Sequence, residues 1–155
     1  ATIIIWQASE SGRYNHKGDS ANQDFKDPRT GKTIKRTLDP FFQSWGQATT
    51  NEKGEYEFTT IIPGFYPADV ASGWYRPPHI HFMVSSTGYP QFVTQMYFRG
   101  EQMKDNTFIQ ELNEADLLLQ GGNLTKEQRQ KLIVDFSESK DGNLLVGKFD
   151  LVISK

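Results

Sequence analysis

The chain has 155 residues, three histidines, no cysteine and a formal charge of -2 at neutral pH. That length suits one domain with a sizeable core. The near-neutral charge, without a basic stripe, argues against a nucleic-acid partner, and no apolar run is long enough to span a bilayer as a helix. Without cysteine there is no disulfide, thiolate metal site, iron–sulfur cluster or cysteine nucleophile, so a transition metal has to be held by His, Asp, Glu, Tyr or backbone oxygen.

No signal peptide is visible. A chain that begins at Ala1 directly inside Thr2-Ile3-Ile4-Ile5-Trp6 reads as processed or trimmed, which leaves both a cytoplasmic and an exported location open.

Thr2 to Ala8 is β-branched and carries Trp6; it reads as a buried strand that runs into the turn Ser9-Glu10-Ser11-Gly12 and on to Arg13-Tyr14-Asn15-His16. Lys17 to Arg36 is polar, contains Gly18, Pro28 and Gly31, and reads as a long surface excursion. Asp39 to Trp45 (DPFFQSW) is too aromatic for a solvent loop and is expected to dock onto the core. After the turn Thr49 to Gly54, Glu55 to Ile61 alternates polar and aromatic residues as a half-buried antiparallel strand does.

Pro63-Gly64-Phe65-Tyr66-Pro67 then turns the chain toward Gly73-Trp74-Tyr75-Arg76-Pro77-Pro78-His79-Ile80-His81-Phe82. Pro77 and Pro78 cannot donate to a ladder, so the strand starts near His79 with Arg76 on a rigid entry to it. Period two puts His79 and His81 on one face and Ile80, Phe82 and Val84 on the other.

Gln91 to Phe98 is a further strand, Arg99 to Gly122 is mixed, and Asn123 to Phe136 carries one short helix, with Thr125 as N-cap and Gln128 completing a capping box. Leu144 to Ile153 is a closing strand after the Asp141-Gly142 turn. Short strands without strand–helix alternation argue for an all-β fold, an antiparallel β-sandwich with long loops and one short helix near the C-terminus, in a single domain over residues 1–155.

The His-x-His pair is a candidate for metal binding, because imidazole is the commonest protein metal ligand. Its bland alternative is a pair of hydrogen-bonded core histidines. Further ligands have to come from turns at the same end of the sheet. His16 would complete a three-histidine, zinc-like site. Tyr14 and Tyr66 sit in glycine-bearing turns where a phenol can reach inward, although a single such tyrosine more often packs with its hydroxyl wet. Spacing alone does not choose between them.

Taken together, Ile5-Trp6-Gln7-Ala8, Gly12-Arg13-Tyr14-Asn15-His16, Gly54-Glu55-Tyr56-Glu57-Phe58, Ile61-Ile62-Pro63-Gly64-Phe65-Tyr66-Pro67, Arg76 to Phe82 and Thr94-Gln95-Met96-Tyr97-Phe98 resemble the intradiol ring-cleavage dioxygenases, in order and over nearly the whole chain. Phe149-Asp150-Leu151-Val152-Ile153 is similar to the end of the protocatechuate 3,4-dioxygenase branch. The resemblance implies a non-haem Fe(III) held by Tyr14, Tyr66, His79 and His81. It further implies that a catecholic substrate is cleaved by O2 between its two hydroxyl-bearing carbons to a muconate-type diacid.

It also assigns roles. Tyr66 would be the labile ligand that leaves as substrate chelates and takes a substrate proton. Arg76 would stabilise carbanionic character on the ring, Gln95 and Trp6 would line the substrate pocket, and His16 would be no ligand. Two anionic phenolates suit a hard ferric ion, and a bound cation permits the ionisation of a phenol whose free pKa lies near 10.

Two features depart from the family pattern. Ala68 and Asp69 stand where the protocatechuate branch carries an aromatic and a basic residue, and the family's sequence upstream of Trp-Gln is missing. The branch forms assemblies of paired, related chains, so self-pairing and a partner chain are both open. Two rival readings remain: the three-histidine zinc enzyme, and a non-enzymatic sandwich module binding through Trp45, Trp74 and Tyr75.

Overall fold

The computed structural model describes residues 1–16 and 23–155, so the part of the Lys17 to Arg36 excursion at 17–22 lies outside the described residues. The fold is built on one five-stranded sheet in the order β4-β1-β7-β8-β9. Its strands are β1 (Thr2–Gln7), β4 (Trp45–Thr49), β7 (His79–Ser86), β8 (Tyr89–Arg99) and β9 (Ile133–Asp135). Three two-stranded pairs flank it: β2 (Phe25–Lys26) with β3 (Thr33–Ile34), β5 (Tyr66–Asp69) with β6 (Trp74–Arg76), and β10 (Ser137–Glu138) with β11 (Leu145–Val146).

Alternation organises the sheet as the sequence predicts. Ile3 and Ile5 on β1, Ile80, Phe82 and Val84 on β7, and Met96 and Phe98 on β8 bury one face. Extended chain covers that face, through Tyr56 and Phe58 from one segment and Phe149, Leu151 and Ile153 from another. Tyr56 Oη donates to the Phe149 carbonyl at 2.8 Å and joins the two segments.

Several expectations change. Neither Glu55 to Ile61 nor most of Leu144 to Ile153 forms a ladder, and only Leu145–Val146 is strand there. The aromatic periodicity is real, but it serves packing: Gln7 holds the first segment by its side chain, donating to the Ile61 carbonyl at 2.9 Å and accepting from Thr60 Oγ1 at 2.8 Å. The second layer of the expected sandwich is therefore mostly unladdered chain. The main sheet is also not purely antiparallel, because β9 pairs with β8 in parallel.

Among the described residues one short helix becomes three: α1 (Asn106–Ala115), α2 (Leu117–Gln120) and α3 (Lys126–Leu132). The capping box of Thr125 and Gln128 on α3 is present, but the β-branched Ile133-Val134 leaves that helix for β9. The start of α1 is hidden in the sequence because its N-cap, Asp105, is in the left-handed region and makes no side-chain cap. None of the described helices is long and apolar enough to cross a membrane.

Asp39 to Trp45 does not dock onto the core. Phe41 is 97% and Trp45 60% exposed, since Ser44 at φ 67° turns the chain into edge strand β4, where Trp45 sits beside Trp6 on the face away from the core. The excursion up to Arg36 is more than surface loop. Its β2–β3 hairpin buries Phe25, Asp27 and Arg36.

Candidate functional site

The face of the sheet opposite the core carries a row of side chains fixed by register. Trp6 pairs with His81 and His81 with Gln95, while one step along His79 pairs with Tyr97. Cross-strand partners share a face, so β1, β7 and β8 each send polar or aromatic groups to one place. His79 is 1% exposed. The ring of His81 lies flat against Trp6, at a centroid distance of 4.8 Å and an interplanar angle of 5°.

Two turns bring the tyrosines over this row. Tyr14 follows the turn at Ser9–Gly12 and Tyr66 opens β5. The turns are joined backbone to backbone, with Gly64 N–H donating to the Ser9 carbonyl at 2.9 Å. That approach requires glycine on both sides. A Cβ on Gly12, itself at φ +76°, would lie 2.5 Å from the Phe65 carbonyl oxygen, and one on Gly64 would collide with the Glu10 carbonyl. The motifs Gly-Arg-Tyr and Pro-Gly-x-Tyr-Pro are thus two halves of one contact.

Four donor atoms converge as a result. Tyr14 Oη lies 3.2 Å from His79 Nε2 and 3.1 Å from His81 Nε2, and Tyr66 Oη lies 3.4 Å from His79 Nε2. The two phenol rings meet edge to face at 5.8 Å. His79 Nδ1–H donates to the Pro77 carbonyl at 2.7 Å, which fixes the tautomer and leaves the Nε2 lone pair directed at the phenols. Atoms bound about 2.1 Å from a common metal lie about 3.0–3.4 Å apart in tetrahedral to octahedral arrangements, and these separations match that range.

Electrostatics prepares the same atoms. Burial, and then the charge of Arg76, lowers His79 to about 3 and His81 to about 4, so both imidazoles are neutral lone-pair donors at neutral pH. Burial raises the Tyr66 phenol; its hydrogen bond with Tyr14 and the nearby Arg76 and Arg36 charges oppose that shift. Arg36 stands with its Cζ 5.5 Å from the Tyr66 ring centroid. Without a cation the phenol stays protonated, and a cation at the convergence point reverses that preference.

Arg76, at the end of β6, is nearly buried beside this cluster. Its Nε donates to Asp116 Oδ2 at 2.7 Å, and its Nη2 donates to Gln95 Oε1 at 2.6 Å and to Tyr97 Oη at 3.3 Å. Burial works against its charge, but the Asp116 carboxylate together with the Tyr66 and Tyr97 phenols outweighs it, and its pKa is raised. Burial and the Asp116 charge push Tyr97 up to about 12.

The structure therefore gathers Tyr14, Tyr66, His79, His81, Arg76, Gln95 and Trp6 in one place. His16 stays outside this cluster: it is exposed, with its ring centroid 6.0 Å from that of Tyr14. Among the described residues no group of three His, Cys, Asp or Glu side chains forms a metal cluster, which removes the support for a three-histidine zinc site. The aromatic face of a binding module is not assembled either. Trp45 is on β4, whereas Trp74 and Tyr75 are on β6, where Tyr75 packs against Phe25 and Phe65. Asp69 is exposed and accepts from Ala71 N–H at 3.0 Å, so its charge is held in a local turn.

Asp116 and Tyr97 are the site residues that sequence reasoning missed. Tyr97 could have been found from its alternation with Gln95, and Asp116 from its place as a capping residue before Leu117-Leu118-Leu119-Gln120.

A family model described as dioxygenase matches residues 1–155. The chain belongs to the intradiol ring-cleavage dioxygenase family. It is 34% identical over 154 residues to the protocatechuate 3,4-dioxygenase beta chain of Burkholderia cepacia, covering 97% of this chain and 55% of that protein.

Its fold is that of hydroxyquinol 1,2-dioxygenase from Pseudomonas putida DLL-E4, with a TM-score of 0.61 at 18% identity over 98% of this chain and 49% of that one. It is equally that of catechol 1,2-dioxygenase from Acinetobacter sp. ADP1, with a TM-score of 0.60 at 20% identity over 99% and 46%. The chain spans about half the length, or less, of the curated relatives it matches.

Proposed function

We propose that this chain is the catalytic domain of an intradiol ring-cleavage dioxygenase in which Tyr14, Tyr66, His79 and His81 hold a non-haem ferric ion. The observation that carries the reading is the convergence of two phenol oxygens and two imidazole nitrogens, with contacts of 3.1–3.4 Å between them. A mixed phenol–imidazole set suits a hard, highly charged ion, and phenolate donors favour Fe(III) over Fe(II). The bound ion would supply Lewis acidity toward a chelated catechol and the redox partner for its reaction with O2.

The residues of the chain do the rest. Tyr66 enters from its own turn and its Oη reaches one imidazole, His79, at 3.4 Å, so it would be the ligand to withdraw, with its Oη taking a catechol proton. Tyr14, in contact with both imidazoles, stays in place. Arg76 presents a fixed cation beside the ring, where charge develops in a site largely shielded from water. Gln95 holds Arg76 Nη2, and Trp6 covers one side of His81 and orients it.

The substrate class is a catechol, consistent with relatives named for protocatechuate, hydroxyquinol and catechol. Iron-loaded protein should consume one O2 per catechol ring and yield the ring-opened diacid from at least one of these three compounds. Iron-loaded protein that consumes no O2 with any of them would reject the proposal.

A further inference from the structure

The guanidinium of Arg76 is gripped on two edges, and the grips come from different parts of the chain. Gln95 and Tyr97, neighbours on β8, hold Nη2, and Tyr97 Oη also donates to Gln95 Oε1 at 3.1 Å. Asp116 holds Nε from the junction between α1 and α2.

Asp116 is 0% exposed, and its carboxylate has little rotational freedom. While Oδ2 accepts from Arg76, Oδ1 accepts from Leu118 N–H at 3.0 Å and from Leu119 N–H at 2.7 Å. A planar guanidinium held at Nε and Nη2 cannot turn about its long axis. Its remaining nitrogen, Nη1, makes no hydrogen bond among the described residues and is left on the side away from both grips.

We propose that Asp116 is the positioning residue of Arg76, fixing the direction of its guanidinium in the site and acting on the reaction only through it. The kinetic part of this inference rests on the proposed function. Asp116 performs two tasks with one side chain: as the cap of α2 it is immobilised by backbone N–H groups, and that immobility is passed to Nε. Neutralising charge alone would require only a carboxylate somewhere near. The 2.7 Å contact to Nε, rather than to a terminal nitrogen, is what sets the rotation.

Asp116→Asn separates the two tasks. Asn caps a helix as well as Asp does, but with its single oxygen on α2 it turns an NH2 group toward a donor. In metal-free wild-type protein the Arg76 Nε–H should give a resolved NMR resonance protected from exchange, and Asp116→Asn should lower that protection about 10- to 100-fold, the range for losing a hydrogen bond to a charged group. In iron-loaded protein the same variant should lower kcat about 10²-fold, with KM and iron content little changed, as misplacement of a reacting group does. The double variant Arg76→Ala/Asp116→Asn should have the kcat of Arg76→Ala alone.

An Nε–H that stays protected in Asp116→Asn, or losses that multiply in the double variant, would overturn the proposal. If Asp116→Asn does not fold, the double variant, which buries no unpaired charge, carries the test through its comparison with Arg76→Ala. Wild-type iron-loaded protein that cleaves no catechol would defeat the proposed function instead, and the exchange measurement would still decide the role of Asp116.

Discussion

Acid should unfold the metal-free protein through the two site histidines. An unfolded histidine titrates near 6.5, whereas His79 is held at about 3 and His81 at about 4. The folded state therefore excludes protons that the unfolded state accepts, so the neutral pair costs nothing above pH 6.5 and destabilises the fold progressively as pH falls below it. Each histidine contributes about 1.4 kcal/mol per pH unit until its folded pKa is reached. Between pH 7.5 and pH 5.0 the pair should remove about 4 kcal/mol, near half for each. That is a large fraction of the ~5–15 kcal/mol that holds a domain together.

The assay is urea unfolding of iron-free protein at both pH values, beside His81→Gln, which should lose only about half as much. A wild-type loss below about 1 kcal/mol, or an equal loss in the variant, would refute the desolvated, neutral pair.

Other perturbations separate scaffold from site. Phe82→Ala removes a fully buried ring that meets Tyr56, Phe58 and Phe149, and should cost about 3–5 kcal/mol in denaturant unfolding. Arg76→Ala should keep its iron by metal analysis while kcat falls about 10²–10³-fold, as on removal of a preorganised electrostatic group. Gly64→Ala should push the Tyr66 turn away from the Ser9–Gly12 turn and lower iron affinity, measured by chelator competition, without disturbing the main sheet.

The legibility of the fold followed the range of the interactions that decide it. His79 and His81 were readable from alternation, because Ile80, Phe82 and Val84 commit the other face of β7 to the core. The helix α3 was readable from Thr125 and Gln128, a signal three residues long. By contrast α1 starts from a left-handed, uncapped Asp105 and carries no acidic residue in its first turn or basic residue in its last, so nothing local announces it.

Glu55 to Ile61 has the periodicity of a strand, yet its partners are side chains and the opposite layer, a distinction that pattern cannot make. For the site, spacing alone left His16 level with Tyr14 and Tyr66. What separates them is the meeting of two turns 52 residues apart through Gly64 and Ser9–Gly12, a contact invisible until both turns are placed. The aromatic run DPFFQSW misled because Ser44 turns it to an edge strand, where Trp45 stands on the face away from the core.

The central claim is that Tyr14 and Tyr66 ligate ferric iron with His79 and His81. The visible spectrum of the iron-loaded protein, taken without oxygen before and after adding catechol, tests it most directly. The account predicts a broad phenolate-to-iron band that shifts when catechol binds and is altered in both Tyr14→Phe and Tyr66→Phe. Iron-loaded protein with no such band, or with one that neither substitution changes, would contradict it.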